Sequence, residues 1–208
     1  MPSLKTYCAD VGSISGQKFG WAAKSSGWEE SGSSIEELGS SVARDLEAGS
    51  PVALGFECPL FVPFVADPSR LGSARGGEGS RPWSAHAGAT SLTTGLVQVA
   101  WLLGRIQQLT NQRHRAFLNW TDFSVEYRGL FIWEAFVSAS AKRQSHIDDA
   151  RAAVEAFIEA LPDPRSCLQC GDGVYSLVGA ALLRTGWATD IEVLSQPCLV
   201  IRATARAV

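Results

Sequence analysis

The 208-residue chain alternates short apolar runs with longer amphipathic segments. The first apolar run, 4–11, contains Asp10 near its end, and a glycine-containing turn at 12–16 separates it from a second run at 19–23. Two short apolar runs joined by a Gly- and Ser-rich turn are typical of an antiparallel hairpin. The start of the chain therefore predicts a hairpin whose first strand carries a carboxylate near its end.

The rest of the chain predicts three more strands and four helices. Apolar runs that indicate strands lie at 52–58, 130–137 and 198–201. Helical periodicity and helix-ending residues indicate helices at 35–48, 92–109, 146–161 and 173–185. Because strands that alternate with helices are typical of an α/β fold, we expect a mixed five-stranded sheet with an antiparallel hairpin at its start and flanking helices.

Length and composition indicate a single domain over residues 1–208. The chain is 46% hydrophobic and 19% charged, and it is long enough to bury a sizeable core. The segment 60–90 is rich in Gly, Ser, Pro and Arg and shows neither the strand nor the helix period. We therefore expect a long loop there, of the kind that is often functional or mobile.

The net charge and the absence of targeting signals limit the partners and the location that we expect. The net charge of −3 provides no global basic field for nucleic acid, although a local basic patch suffices for binding. The first five residues lack the apolar core of a signal peptide, and the most apolar window, 96–103, is too short to span a bilayer. We therefore expect a cytoplasmic protein with no membrane partner.

The cysteines favour reduced thiols. Their number, five, is odd, which argues against a complete disulfide framework. Cys167 and Cys170 form a C-x-x-C pair, but a structural zinc site needs a second pair of ligands, and the sequence shows none at suitable spacing. Two thiols in a tight connection are favoured over zinc or redox chemistry.

Acidic residues interrupt the predicted strands. Asp10, Glu57 and Glu134 each lie in an apolar run, and Asp172 precedes the last predicted helix. If the strands of Asp10 and Glu57 are parallel neighbours, their carboxylates reach one point at the carboxyl edge of the sheet. Clustered carboxylates repel each other unless a hard divalent cation shares their oxygens. Taken singly, each acid also has a structural interpretation, such as a turn cap at Asp10 or a helix N-cap at Asp172.

Several segments resemble the RNase H-like superfamily, in particular the RuvC-type nucleases and the predicted bacterial RNase H-like nucleases of unknown function. The segments are 9–12 with 20–22, then 55–60, 131–135 and 171–181. They are similar, in that order, to the first hairpin with its acid and glycine turn, the fourth strand with an acid before a proline, the fifth strand and the last catalytic helix. The similarity runs over most of the chain.

The resemblance implies an RNase H-like fold and a hydrolase, a metal-dependent nuclease or phosphodiesterase that acts on nucleic acid. It also implies that Asp10, Glu57 and Asp172 are the catalytic residues. These carboxylates would hold Mg²⁺ or Mn²⁺, which activates the attacking water.

One position departs from the family. RuvC-like members often place two acids three residues apart on the last helix, and here the second position is Tyr175, whose phenol does not replace a carboxylate as a Mg²⁺ ligand. Glu134 and Asp149 are therefore alternative metal ligands. Asp149 follows Asp148 in a segment whose His-x-x-Asp-Ala string also resembles a nuclease helix, but Asp148 and Asp149 both suit an ordinary acidic first turn of a helix as well. We place Asp172 ahead of Asp149 because it keeps the expected helix after the fifth strand.

Basic residues near the long loop are candidate substrate contacts. They are Arg70, Arg75 and Arg81, with Lys142 after the fifth strand as a further candidate. Arginine forks suit phosphate oxygens, and Trp83 or His86 could stack on a base or sugar. A solvated loop that happens to contain basic residues explains the same pattern equally well.

Two further functions compete with a nuclease. A non-catalytic RNase H-like binding or scaffold module is favoured by Tyr175, the acidic balance and the modest basic content. An ATPase or phosphotransferase of the actin-like type has a similar first hairpin, but such proteins usually duplicate the fold, and this chain shows no repeat. The sequence leaves the oligomeric state open, a homodimer included.

Overall fold

The protein is described by a computed structural model that covers residues 3–79, 82–137, 141–171 and 173–204. Its strands are β1 (Lys5–Asp10), β2 (Gly20–Ser25), β3 (Trp28–Gly32), β4 (Val52–Phe56), β5 (Phe61–Pro63), β6 (Ala116–Phe117), β7 (Leu130–Val137), β8 (Val174–Ser176) and β9 (Leu199–Ala203). Its α-helices are α1 (Ile35–Glu47), α2 (His86–Leu109), α3 (Trp120–Glu126), α4 (His146–Glu159) and α5 (Leu177–Thr185). Two 3₁₀ helices span Pro68–Arg70 and Ile191–Ser195. The predicted α/β class is confirmed.

The main sheet is mixed. β1, β2 and β3 are antiparallel, whereas β4 pairs in parallel with β1 on one side and with β7 on the other. β6 and β9 also pair in parallel with β7, at its beginning and its end. The described residues thus form a seven-stranded sheet, and the prediction of five strands was wrong. β3 was not predicted because its sequence, WEESG, is mostly polar, and β6 was not predicted because it has only two residues.

The central strands are buried on both faces. Successive side chains of a strand point to opposite sides, so Leu54 packs in one hydrophobic cluster and its neighbour Ala53 in another. The first cluster includes the apolar faces of α1 and α2, and the second includes that of α4. This arrangement explains why the predicted strands at 52–58 and 130–137 are near-continuous apolar runs.

The segment 60–90 is more ordered than the sequence predicts. It contains β5 and a 3₁₀ helix, and α2 begins at His86 rather than at residue 92. β5 pairs with β8, which occupies the start of the predicted helix 173–185. Helix α5 therefore begins only at Leu177. Val174 and Tyr175 favour the strand because they pair with Pro63 and Val62.

A buried ion network fastens this segment to the sheet. Arg75 is 3% exposed, and its guanidinium donates two hydrogen bonds to Glu134, at 2.7 and 2.8 Å. Its Nε lies 2.8 Å from Glu78, which is also buried. Burial raises the pKa of Glu134 although Arg75 opposes that rise. Arg75 is therefore paired with Glu134 and Glu78 inside the protein and is not exposed to solvent.

Among the helices of the residues that the structure describes, none is long and apolar enough to cross a membrane.

We expect Arg75→Met to lower the free energy of unfolding by roughly 3–5 kcal/mol, because the change leaves two buried carboxylates without their cation. Urea denaturation at neutral pH measures this loss. The matched control is Arg113→Met at an exposed position, which should change stability by less than about 0.5 kcal/mol. Equal stability of the two variants would contradict a structural role for the network.

Candidate metal centre

Three carboxylates from three different elements meet at the carboxyl edge of the sheet. Asp10 is the last residue of β1, Glu57 directly follows β4, and Asp149 lies in the first turn of α4. One oxygen of each lies within 4.8 Å of the others. Asp10 and Glu57 are neighbours because β1 and β4 are parallel and the Glu57 amide donates to the Ala9 carbonyl at 2.8 Å. A carboxylate group of this size could hold a metal ion.

Gly20 allows α4 to reach this edge. Gly20 is the partner of Asp10 in the antiparallel pair of β1 and β2. A Cβ atom at Gly20 would lie 2.5 Å from backbone atoms of His146 and Ile147, so only glycine fits without a shift. The contact places Nδ1 of His146 2.5 Å from Oδ2 of Asp10.

The two adjacent acids of α4 have different environments. Asp148 is bonded to Ser145 and Arg151 near the protein surface, with 42% of its side chain exposed. Asp149 is buried, and its Oδ1 accepts a hydrogen bond of 2.5 Å from the backbone amide of Arg143. The helix therefore uses Asp148 for its own surface and directs Asp149 into the cluster.

Lys142 lies among the carboxylates. Its Nζ is 2.9 Å from Glu57 Oε1, 3.1 Å from Asp149 Oδ2 and 3.9 Å from Asp10 Oδ2. Burial by itself would lower the pKa of Lys142, but the Glu57 and Asp10 carboxylates outweigh burial and raise it. The side chain is therefore an ammonium ion at neutral pH.

Burial dominates the electrostatics of the acids. It raises the pKa of Asp10, although Lys142 and His146 oppose the rise. Burial and the neighbouring Asp10 carboxylate raise the pKa of Glu57 to about 8. Glu57 Oε2 is buried and accepts no hydrogen bond in the described part of the chain. A hydrogen bond between the Glu57 and Asp10 carboxyls, which lowers the pKa of Asp10, needs a shared proton. Once Glu57 is ionised, its buried Oε2 is costly unless a ligand satisfies it.

A cavity of about 390 Å³ opens onto this cluster. Its walls include the turn after β1, the first turns of α2 and the end of β7. Asp10, Glu57, Lys142 and His146 line the cavity, as does Trp83, whose Nε1 donates to the Ser73 carbonyl at 2.9 Å. The volume is in the range of pockets that bind small organic ligands, about 300–1,000 Å³.

Not every predicted ligand belongs to the cluster. Asp149, named as an alternative, joins Asp10 and Glu57, whereas Glu134 is bonded to Arg75 and to the backbone amide of Leu60. Asp172 lies outside the described residues, so its role stays a prediction. Tyr175 is on strand β8 and not on the helix where the resemblance to RuvC-like proteins predicted it.

The predicted substrate contacts also separate. Arg75 lines the cavity, but its guanidinium is committed to Glu134 and Glu78. Lys142 lies in the carboxylate cluster. Arg70 is exposed on a 3₁₀ helix and is not among the described residues that line the cavity. Arg81 lies outside the described residues.

His146 was not predicted from the sequence as a site residue. Its spacing from Asp149 indicated this role, because residues three positions apart share one face of a helix. Cys167 and Cys170 are free thiols and belong to no metal-ligand cluster found in the described ranges.

We expect Gly20→Ala to weaken both the fold and the site, because the new Cβ must push α4 away from Asp10. The cost should be about 1–3 kcal/mol in the free energy of unfolding, as for other overpacked positions, together with weaker Mn²⁺ binding. Gly104→Ala in α2 is the control, since its Cβ would make only an ordinary contact at 3.5 Å. Unchanged Mn²⁺ affinity in Gly20→Ala would show that α4 does not position a ligand.

We expect Mg²⁺ to raise the thermal unfolding midpoint more at about pH 9 than at about pH 6, because the metal binds ionised carboxylates. Because the pKa of Glu57 is raised from 4.5 to about 8, the folded, metal-free protein holds a proton between these pH values that the unfolded chain has lost. The contribution of this proton to metal-free stability is therefore lost by the time the pH has risen through about 8, whereas metal binding becomes stronger as Glu57 ionises. In Glu57→Gln the Mg²⁺-induced shift of the unfolding midpoint should be the same at both pH values. If the variant showed the same pH dependence as the wild type, Glu57 would not be the group whose ionisation controls metal binding.

Comparison of the chain with protein-family models, with curated proteins and with solved structures gave no significant match. The geometry of the carboxylate cluster and its cavity is therefore the basis for assigning a function.

Proposed function

We propose that the protein is a metal-dependent phosphodiesterase of RNase H-like fold that acts on nucleic acid. The observation that carries the proposal is the convergence of Asp10, Glu57 and Asp149, of which Asp10 and Glu57 also line a cavity. Three acids from separate elements are costly to bring together, so their assembly favours a bound cation over a purely structural role.

The order of the elements supports the RNase H-like part of this proposal. The first acid lies at the end of the first strand of a hairpin, and the second follows the fourth strand in the chain, directly before Cys58 and Pro59. Both positions agree with the family pattern that the sequence resembles. The third acid lies on α4, the helix that follows β7.

The residues present fit a divalent metal. Asp10, Glu57 and Asp149 offer hard oxygen ligands, and the buried Glu57 Oε2 has no other described partner. When bound, Mg²⁺ or Mn²⁺ would supply an activated water and stabilise the charge that develops on the phosphate oxygens. In such a reaction the water oxygen would bond to phosphorus and release a proton, the bond from phosphorus to the leaving oxygen would break, and the leaving oxygen would take up a proton.

His146 contributes by holding Asp10. Its Nδ1 contacts Asp10 Oδ2, and its ring lines the cavity with 40% of the side chain exposed. It therefore fixes the orientation of the Asp10 carboxylate, in the manner of the outer contacts that orient metal ligands.

The cavity also offers features that suit a phosphate. Gly88, Thr90 and Ser91 from the first turns of α2 line it, together with Lys18 from the preceding hairpin. The N-cap residue of α2, Ala85, provides no side-chain hydrogen bond. The first amides of a helix attract anions, so this end of α2 favours a phosphate-bearing ligand over a neutral one.

A non-catalytic binding module is the second candidate. The observation in its favour is that Lys142 already balances part of the carboxylate charge in the absence of a metal. Such a module would hold a phosphate-bearing ligand in the same cavity without cleaving it.

We expect Mn²⁺-dependent cleavage of at least one of four substrates: single-stranded, duplex, hybrid or branched nucleic acid. Asp149→Asn should reduce the rate by more than roughly 100-fold, because loss of a direct ligand exceeds the 10–100-fold cost of losing an outer contact. Asp148→Asn is the matched control on the same helix turn and should retain most of the activity.

Metal binding separates the two functions. If calorimetry shows Mn²⁺ binding to the wild type but no substrate is cleaved, the binding module is favoured. If Mn²⁺ does not bind, or if Asp10→Asn cleaves as fast as the wild type, the phosphodiesterase is wrong. Asp172→Asn, tested beside Asp149→Asn, decides which of the two is the third ligand.

A further inference from the structure

Lys142 lies where a cation between two carboxylates would lie. Its Nζ is within 3.1 Å of an oxygen of both Glu57 and Asp149 and is more distant, 3.9 Å, from Asp10. An ammonium group carries three donors and a compact charge, so it can join two acids as a metal ion does. Lys142 therefore occupies one side of the cluster, towards Asp149.

The neighbours of Lys142 hold it in this place. Ala141 is 1% exposed and packs in the hydrophobic cluster on the α4 side of the sheet. The backbone amide of Arg143 donates to Asp149 Oδ1. The backbone is thus fixed on both sides of Lys142, which distinguishes it from a lysine on a free surface loop.

Glu57 has one oxygen for Lys142 and another for a different ligand. Oε1 contacts Lys142, whereas Oε2 is buried and has no hydrogen-bond partner among the described residues. In two-metal phosphodiesterases the two cations are about 3.5–4 Å apart and clamp the attacking and leaving oxygens. Glu57 is therefore placed to join two cations, one of which the protein already supplies.

The charges agree with a single metal. When Asp10, Glu57 and Asp149 are all ionised they carry three negative charges, and the Lys142 ammonium balances one of them. The two that remain match one divalent ion. A second divalent ion would have to displace Lys142 or leave excess positive charge beside it.

We propose, on the basis of the function proposed above, that Lys142 is a built-in second cation. The protein binds one divalent ion per chain, held by Asp10, the free oxygen of Glu57 and Asp149, and the Lys142 ammonium takes the place of the other metal. Lys142 stabilises the negative charge on the substrate phosphate by its position and forms no covalent bond.

Counting the bound metal tests this inference. Full-length protein is titrated with Mn²⁺, and the bound ions per chain are measured by calorimetry and by the electron paramagnetic resonance signal of free Mn²⁺. The wild type should bind one ion per chain. Lys142→Met, which removes the charge but keeps most of the length, should bind two.

Two variants control the result. Arg143→Met removes the adjacent positive charge and should leave the count at one, because no contact of its side chain with the three carboxylates is seen. Lys142→Arg keeps a cation at the site and should also bind one ion. It keeps the test decisive if Lys142→Met fails to fold, because two bound ions in Lys142→Arg would overturn the proposal.

The outcomes are distinguishable from failure of the proposed function. Two ions in the wild type, or one ion in a folded Lys142→Met, overturn the role of Lys142 and leave the phosphodiesterase intact. Absence of any bound Mn²⁺ in the wild type overturns both.

Discussion

The close contact between Gly20 and the beginning of α4 determines whether this protein has a site at all. β1 and β4 are parallel neighbours, so they bring Asp10 and Glu57 together without help. Asp149 is on a helix, and its distance from them depends on how closely that helix approaches the hairpin. At Gly20 the helix backbone lies where any side chain would be. Because Gly20 has no side chain, α4 can approach closely enough to bring Asp149 next to Asp10 and Glu57.

The Arg75–Glu134 pair has a comparable positional effect on another part of the cavity lining. A buried ion pair adds little net stability compared with apolar packing, because both charges lose their water. Its consequence is positional, since Arg75 pairs both with Glu78 of its own segment and with Glu134 of β7. The segment after β4 is therefore held against the sheet and becomes a wall of the cavity. Had Glu134 been free, it would have been a fourth acid at the same edge.

How much the sequence could predict depended on whether the decisive interaction was local. The apolar runs around Asp10 and Glu57 predicted strands, and parallel pairing followed from the alternation of strands and helices. By contrast, β8 forms because residues 174–176 meet β5, more than a hundred positions earlier, so a helical pattern was overridden. Arg75 and Glu134 are also far apart, 59 positions in sequence, and arginine in a Gly-rich loop suggested phosphate binding instead. Asp149 was recognisable as a candidate ligand, but its position beside Asp10 and Glu57 depends on how α4 packs against the sheet, which the sequence does not reveal.

The surroundings of the carboxylate cluster explain how the acids can come together without a metal ion. Three acids at this distance would repel strongly if each were ionised and alone. Lys142 and His146 reduce that repulsion from within the chain, and the raised pKa of Glu57 allows its carboxyl to stay protonated near neutral pH. Small metal-dependent domains that lack such compensation fold only when the metal is present. Here the large core carries the fold, and the site is already assembled at the edge of the sheet. The Lys142 ammonium and the contact of His146 with Asp10 therefore make a preformed acidic cluster compatible with a stable metal-free protein.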